Sequence, residues 1–223
     1  MSRNTNRLIE LLEPASTAVL WMEMQRGVVG DLSPIAALCE AASSRGTLEC
    51  VTRLLRAARK AGVQIVFCNA IHRSDRKGSA VNAPGLAFAA RTPGHLSEGS
   101  PSAEHVPELA AEPGDFISAR YHGLSPFTGT GLDAALRRMR IRSVIATGVS
   151  LNVGIIGICV EAVGLGYSAV VAREAVAGVP AEYGDSVLQY SLPVAALVTS
   201  IEEIVRVWES QPAGQGLAAS SVR

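Results

Sequence analysis

The alternation of short β-branched apolar runs with segments of helical periodicity constrains this fold most. TAVLWMEM at 17–24 predicts a strand, an amphipathic helix follows at 46–62 and ends at Gly62, and VQIVFCNA at 63–70 predicts the next strand. Strands that alternate with helices form βαβ units with right-handed crossovers. We therefore predict an α/β fold, a single-domain, doubly wound three-layer sandwich whose mainly parallel six-stranded sheet has the order 3-2-1-4-5-6.

The second half of the chain repeats this alternation. The predicted elements are strand 115–121, helix 132–140, strand 141–149, helix 152–166, strand 167–174, a helix across 180–192, strand 193–200 and helix 201–209. Residues 72–113, rich in Gly, Pro, Ser and His, are predicted to form a mostly irregular excursion with room for one short helix, in which His95 and His105 are exposed. The expected organisation is an N-terminal helical segment (1–15), one domain (16–209) and a flexible tail (210–223).

Composition excludes several classes of function. Twenty basic and twenty acidic residues give a net charge of zero, so no basic surface for nucleic acid or an anionic membrane is expected. The four cysteines show no CxxC spacing, no secretory signal is apparent, and no apolar run approaches the ~20 residues of a membrane helix. GxGxxG after the first strand and GxxxxGK[ST] are absent. We expect a cytoplasmic protein without a cofactor.

In doubly wound sheets, ligands bind beyond the carboxyl ends of the strands, near the point where the strand order reverses. The residues that follow the predicted strands are therefore the candidates for a site. They are Glu23–Gln25, His72, Tyr121–Phe127, Ser150–Gly154 and Glu174.

Four motifs occur in a fixed order along the chain: EMQ at 23–25, SPFTGT at 125–130, GVSLNVG at 148–154 and GYSAVVAREA at 166–175. This pattern resembles the isochorismatase-like superfamily, which includes cysteine hydrolases such as nicotinamidase. The resemblance spans about residues 16 to 205. It implies a hydrolase fold, a homodimer or homotetramer, and a non-proline cis peptide, which we place at Val149–Ser150.

The Asp–Lys–Cys set of that superfamily is not matched here. Glu23 stands at the aspartate position, Tyr121 at the lysine position, or Arg120 if the alignment slips by one residue, and Gly154 at the cysteine position. Isochorismatases proper resemble this chain in having glycine there, and they cleave a vinyl ether by acid catalysis without a thioester. The resemblance therefore implies a family member that lacks the triad.

Two residues are candidate catalytic groups. Glu23 follows an apolar strand, and a carboxyl group buried between apolar walls suits general acid or base chemistry. The alternative is an ion pair with Arg26 or Arg120, or a cap on a helix N-terminus. His122 opens the loop after the third strand and could transfer protons. Its alternative is a loop histidine that bonds to backbone.

Substrate-binding candidates surround these two. Arg120 and Tyr121 alternate on a strand, so we expect only one of them to face the cleft. Phe127 is expected to form a hydrophobic wall. Ser150, Asn152 and Gly154 form the corner, where free N–H groups of the following helix could hold an oxyanion, although Asn152 could instead be an N-cap. Gln25 is expected to fix the backbone of a neighbouring loop.

Other chemistries have weaker support in the sequence. His72 and Asp75 do not form the Asp-x-His element that binds metal in some relatives, so no metal site is expected. Cys159 lies five residues beyond Gly154 and is predicted to be a buried core residue. The favoured function is a hydrolase of a small carbonyl, amide or enol-ether substrate without a cysteine nucleophile. The alternative is an inactive relative that binds a small molecule or acts as an oligomeric scaffold.

Overall fold

The computed structural model describes residues 3–210, so the predicted tail beyond 210 lies outside the described residues. The helices are α1 (Arg3–Leu11), α2 (Ala36–Ser44), α3 (Thr47–Ala61), α4 (Pro84–Ala90), α5 (Leu132–Arg138), α6 (Ile156–Gly164), α7 (Ala181–Ser186) and α8 (Ile201–Ser210). The strands are β1 (Thr17–Met22), β2 (Gln64–Ala70), β3 (Phe116–Arg120), β4 (Ser143–Val149), β5 (Ser168–Ala177) and β6 (Leu197–Thr199).

All the strand pairs are parallel, and the sheet order is β3-β2-β1-β4-β5-β6, which confirms the predicted topology. The strand order reverses at β1, where Leu20 is in register with Val66 of β2 on one side and with Ala146 of β4 on the other. A ligand site is therefore expected where β1 and β4 end.

The two faces of the sheet support two separate cores, because side chains alternate along each strand. Val19 and Trp21 of β1 pack with α1, α3 and α8, whereas Leu20 and Met22 pack on the opposite face with α5 and α6. Helix α3 buries one stripe of side chains and ends at Gly62, whose left-handed φ of 74° lets its N–H bond to the last carbonyls. The result is the predicted three-layer sandwich.

Several element boundaries differ from the sequence prediction. Strand β5 extends to Ala177, so Glu174 lies inside it, and its carboxylate accepts the Ile201 N–H at 3.0 Å at the start of α8 rather than facing a ligand. Helix α2 was not predicted. The excursion contains α4 and two 3-10 turns, at Pro101–Ala103 and Pro107–Leu109. Within residues 3–210, no helix is both long and apolar enough to cross a bilayer.

Candidate functional site

A cavity of about 200 Å³ opens where β1, β3 and β4 end, and the excursion forms its far wall. This is the position that the strand order predicts. Its polar lining consists of Glu23, His72, His95, Arg120, Tyr121, His122 and Ser150. Apolar residues complete it, among them Met22, Leu86 from α4 and Leu96. Met22 packs beside the Gly154 corner, and the rest of the space in front of it remains open as the cavity.

The main charged feature of the cavity is an ion pair between Glu23 and Arg120, which is one of the alternatives that the sequence left open for Glu23. Glu23 adopts a left-handed φ of 53° directly after β1, and its N–H donates to the Cys68 carbonyl at 3.0 Å. Its side chain is 18% exposed, and the side chain of Arg120 is 6% exposed. The guanidinium of Arg120 also donates from Nε to the Gly123 carbonyl at 3.2 Å. Of the two possible lysine-position residues, Arg120 is thus the one that faces Glu23.

Gln25 performs the structural role that was expected. Its Nε2 donates to the carbonyls of Ala70 and Ala103, each at 3.0 Å, and its Oε1 accepts the Ala70 N–H at 2.9 Å. The side chain is completely buried. One amide therefore joins the end of β2 and the excursion to the turn after β1, which holds the Glu23 backbone in place.

The corner after β4 contains a cis peptide bond at Val149–Ser150, as predicted. A π-helical turn, Leu151–Ile155, follows and continues into α6, and the Ser150 carbonyl accepts N–H groups from Val153 and Ile155, both at 3.1 Å. A Cβ atom at Gly154 would lie 2.7 Å from Cε of Met22. The Met22 side chain therefore occupies the space that a cysteine side chain at position 154 would require.

Tyr121 and His122 lie at the mouth of the cavity, and both are exposed. The expectation that only one of Arg120 and Tyr121 faces the cleft is wrong, because β3 ends at Arg120 and the strand alternation ends with it. The His122 ring lies against Gly129, with Cε1 only 2.5 Å from the ideal position of a Cβ atom there.

Two candidate residues lie away from the cavity. Phe127 is buried in the core beneath the site and stacks on Tyr167 at a centroid distance of 6.1 Å, so it is a core residue rather than a cavity wall. Asn152 donates from Nδ2 to the Val179 carbonyl at 3.2 Å and makes no capping hydrogen bond. Its side chain ties the corner to the connection after β5.

Sequence reasoning listed His72 among the candidate site residues but missed His95, which it expected to be exposed. His95 is 6% exposed and lines the cavity beside buried His72, whose Nδ1 lies 2.9 Å from Ser79 Oγ. Burial, followed by the charges of Arg76, His95 and Arg120, lowers the pKa of His72 to about 4, and burial also lowers the pKa of His95.

His105 was also expected to be exposed, but it is half-buried and stacks on Phe67 at 4.2 Å. The polar composition of the excursion predicted exposed side chains, and His95 and His105 were therefore not expected to be buried. The signal that could have found His95 is the neighbouring Leu96, an apolar residue that anchors the segment in the core.

The buried thiols and the metal-ligating side chains offer no alternative chemistry at this site. Burial raises the pKa of Cys68 and of Cys159 to about 12, so neither supplies a thiolate near neutral pH. Cys159 is a core residue of α6, as expected. Within residues 3–210, no cluster of three or more His, Cys, Asp or Glu side chains could hold a metal ion.

Comparison with known proteins identifies the family of the chain. Residues 17–203 match the isochorismatase domain, so the chain belongs to the isochorismatase domain family. The uncharacterized isochorismatase family protein YwoC of Bacillus subtilis is 31% identical over 104 residues, which are 46% of this chain and 54% of YwoC. The ureidoacrylate amidohydrolase RutB of Rhizobium rhizogenes is 30% identical over 165 residues, 67% of this chain and 63% of that protein. The matched segments thus span about half to two thirds of these relatives.

Solved structures show the same fold. An isochorismatase family protein from Desulfovibrio vulgaris superposes with a TM-score of 0.76 at 23% identity, covering 87% of this chain and 98% of that one. The pyrazinamidase of Pyrococcus horikoshii, solved in complex with zinc, gives a TM-score of 0.67 at 20% identity, covering 83% and 99%.

Proposed function

We propose that this protein is a hydrolase of a small carbonyl, amide or enol-ether substrate and that it works without a cysteine nucleophile. The observation that carries this proposal is the Glu23 carboxylate, which is largely buried, ion-paired with Arg120 and open to a cavity of about 200 Å³. The amidohydrolase and pyrazinamidase names among its relatives support the reaction class.

The ion pair favours one role for Glu23 over another. A carboxylate that accepts a hydrogen bond from a guanidinium can take a proton from water, whereas arginine does not shuttle protons near neutral pH. We therefore assign Glu23 as a general base, which favours a carbonyl substrate over an enol ether, whose cleavage begins with protonation of the substrate.

The reaction then follows from these positions. Glu23 takes one proton from a water molecule, whose oxygen adds to the substrate carbonyl carbon. The Val153 N–H already donates to the Ser150 carbonyl, so the candidate donor to the oxyanion is the N–H of Gly154, which lines the cavity. When the bond to the leaving group breaks, Glu23 returns the proton to it. His122 at the mouth is the candidate proton carrier to solvent, and Tyr121 and Ser150 are the candidate substrate contacts.

Glu23→Gln tests this proposal, because glutamine keeps the size of the side chain but cannot act as the base. Assays over small amides, ureas, esters and enol ethers should show activity that falls by at least about a hundredfold in this variant. The matched control is Glu104→Gln, which alters an exposed carboxylate paired with Arg26. Full activity in Glu23→Gln would exclude a proton-transfer role. Ligand binding without turnover in the wild type would instead indicate the inactive binding or scaffold protein.

We also propose a homodimer or homotetramer. Its support is an apolar stripe on α6 and the turn before it, where Val153, Val160 and Val163 are exposed and Ile156 is half-exposed. These residues recur at helical spacing on one face. Light scattering should give a multiple of the 23.3 kDa chain mass, and a monomer at micromolar concentration would contradict the proposal.

A further inference from the structure

The wall of the cavity that the excursion supplies has hydrogen-bonding groups without partners. His95 is buried, lines the cavity, and its imidazole makes no hydrogen bond to the part of the chain that the structure describes. Beside it, His72 uses Nδ1 with Ser79, which leaves Nε2 for a ligand. Buried polar side chains normally have partners, so the imidazole of His95, which opens into the cavity without a protein partner, is free to bond to a ligand there.

A positive charge lies behind these histidines. Arg76 donates from Nη2 to the carbonyls of Thr92 at 3.1 Å and His95 at 3.3 Å, and its Nη1 is buried without an acceptor. Among residues 3–210, Arg76 forms no salt bridge with any carboxylate. An unpaired charge in a half-buried position is costly until an anion neutralises it.

The charges that act on this wall leave one positive charge uncompensated. His72 is influenced by Arg76, His95 and Arg120, and His95 by Arg76 and Glu23. The Arg120 and Glu23 charges pair with each other, which leaves that of Arg76.

We propose that His95, with His72 and Arg76, binds a carboxylate group of the substrate. This inference names a substrate class for the proposed hydrolase and rests on that function: a small carbonyl compound that also carries one negative charge. His95 donates directly to the carboxylate, Nε2 of His72 donates beside it, and Arg76 neutralises the charge from behind. One uncompensated charge suits a monoanion better than a phosphate dianion.

Histidines that bind the carboxylate should take up protons when it binds, whereas histidines with a purely structural role should not. Burial lowers the pKa of His72 to about 4, so this imidazole is neutral near pH 6; burial also lowers the pKa of His95, and a bound anion favours the protonated form of both. Carboxylate binding should therefore take up protons from solution, and calorimetry in two buffers of different ionisation enthalpy measures that uptake.

The experiment compares benzoate with acetophenone, a neutral ligand of similar size, and with inorganic phosphate, on the full-length protein at about pH 6. Benzoate should bind at least about tenfold more tightly than acetophenone and with proton uptake. His95→Phe should weaken benzoate about tenfold and reduce the uptake, whereas His95→Gln restores part of the affinity. Arg76→Gln should weaken benzoate and Arg76→Lys should not.

His105→Gln is the control, because His105 bonds to Asn69 outside the cavity and its loss should leave benzoate binding unchanged. Thermal unfolding of each variant verifies that it is folded. If Arg76→Gln does not fold, Arg76→Lys still tests the role of the charge, because it should bind benzoate as tightly as the wild type. Equal affinity for benzoate and acetophenone, tighter binding of phosphate, or unchanged binding in His95→Phe would overturn the proposal. Benzoate binding without any hydrolysis would refute the proposed function alone, and hydrolysis without benzoate binding would refute this inference alone.

Discussion

The inside of the cavity and the adjacent outer surface carry similar side chains in very different surroundings. Arg120 inside is 6% exposed and faces Glu23, its one acid partner, whereas Arg26, three residues after Glu23, is 26% exposed and contacts two acids, Asp31 at 2.8 Å and Glu104 at 2.9 Å. The acid partners of Arg26 are about 60% exposed. The Arg26 charges and their partners can therefore be solvated readily when one of them is lost, whereas Glu23 and Arg120 have much less access to water.

This difference shows that the number of acid partners of an arginine is a poor guide to its contribution to stability. Exposed ion pairs contribute little to stability, because water competes for both charges. A buried pair is different, since removal of one member leaves the other charge without water or partner. Substitutions at Arg120 and at Arg26 should thus separate the two regions.

The largest expected effect is that of Arg120→Met, which keeps the length of the side chain and removes its charge. The Glu23 carboxylate then has no cation beside it, and the free energy of unfolding should fall by about 3 kcal/mol. Urea denaturation measures this loss. Arg26→Met should change the urea midpoint very little, because exposed acids at its site gain water.

The double variant Glu23→Gln with Arg120→Met sharpens this result. If the cost arises from an unpaired carboxylate, removal of that carboxylate restores a large part of the stability. If the loss of unfolding free energy in the double variant equals the sum of the losses in the two single variants, the pair acts through packing alone. The contrast drawn with Arg26 would then be wrong.

The sequence predicted the scaffold well, because the apolar periodicity that defines the elements also determines the order of the layers. It placed Glu23, Ser150 and Gly154 at one end of the sheet for the same reason, since parallel strands present their carboxyl ends together. Gln25 was predicted correctly because a buried amide at a strand end has few possible partners except backbone.

The side-chain environment was much harder to predict. Phe127 lies in the same loop as His122, yet its side chain packs in the core against Tyr167. No local sequence pattern distinguishes a side chain that faces the cavity from one that faces the core. The position of His95 depends on how the excursion, residues 72–113, folds back over the sheet, which is a tertiary property. Helix α2, with weak amphipathic character, was missed for a related reason: it is defined by packing against α3.

A second comparison concerns two glycines, one at the corner after β4 and one at the end of α6, and the expected change in stability is smaller. Gly154→Ala inside places a Cβ 2.7 Å from Cε of Met22, so the end of this flexible side chain must move, and we expect a cost of about 1 kcal/mol, at the low end for overpacking. Gly164→Ala, at the end of α6, meets no atom within 4 Å and should stabilise the protein by less than about 1 kcal/mol. Thermal unfolding of both variants measures the difference.

Met22→Leu provides the internal check, because leucine lacks the Cε atom that the new Cβ would contact. Adding Met22→Leu to Gly154→Ala should cost less than the sum of the two single substitutions. Strict additivity would show that something other than the methionine limits the side chain at position 154, and the account of why cysteine does not fit there would be wrong.

The last comparison separates buried His72 from exposed Asp75, three residues away, by the pH dependence of stability. Burial lowers the pKa of His72 to about 4, so between pH 6.5 and 4 the unfolded chain binds the proton that the folded chain refuses, and stability falls as pH falls through this window. The hydrogen bond to Arg73 lowers the pKa of Asp75 to about 2, so its contribution is present above pH 3.8 and is lost as pH falls toward 2.

His72→Asn can keep the hydrogen bond to Ser79. This variant should reduce the pH dependence of the urea midpoint only above pH 4. Some pH dependence should remain there, because burial also lowers the pKa of His95 and His105. Asp75→Asn should alter the profile only below about pH 4. A His72→Asn profile that parallels the wild type between pH 6.5 and 4 would show that this imidazole is solvated in the folded protein. The cavity wall on which the carboxylate proposal depends would then be open to water rather than reserved for a ligand.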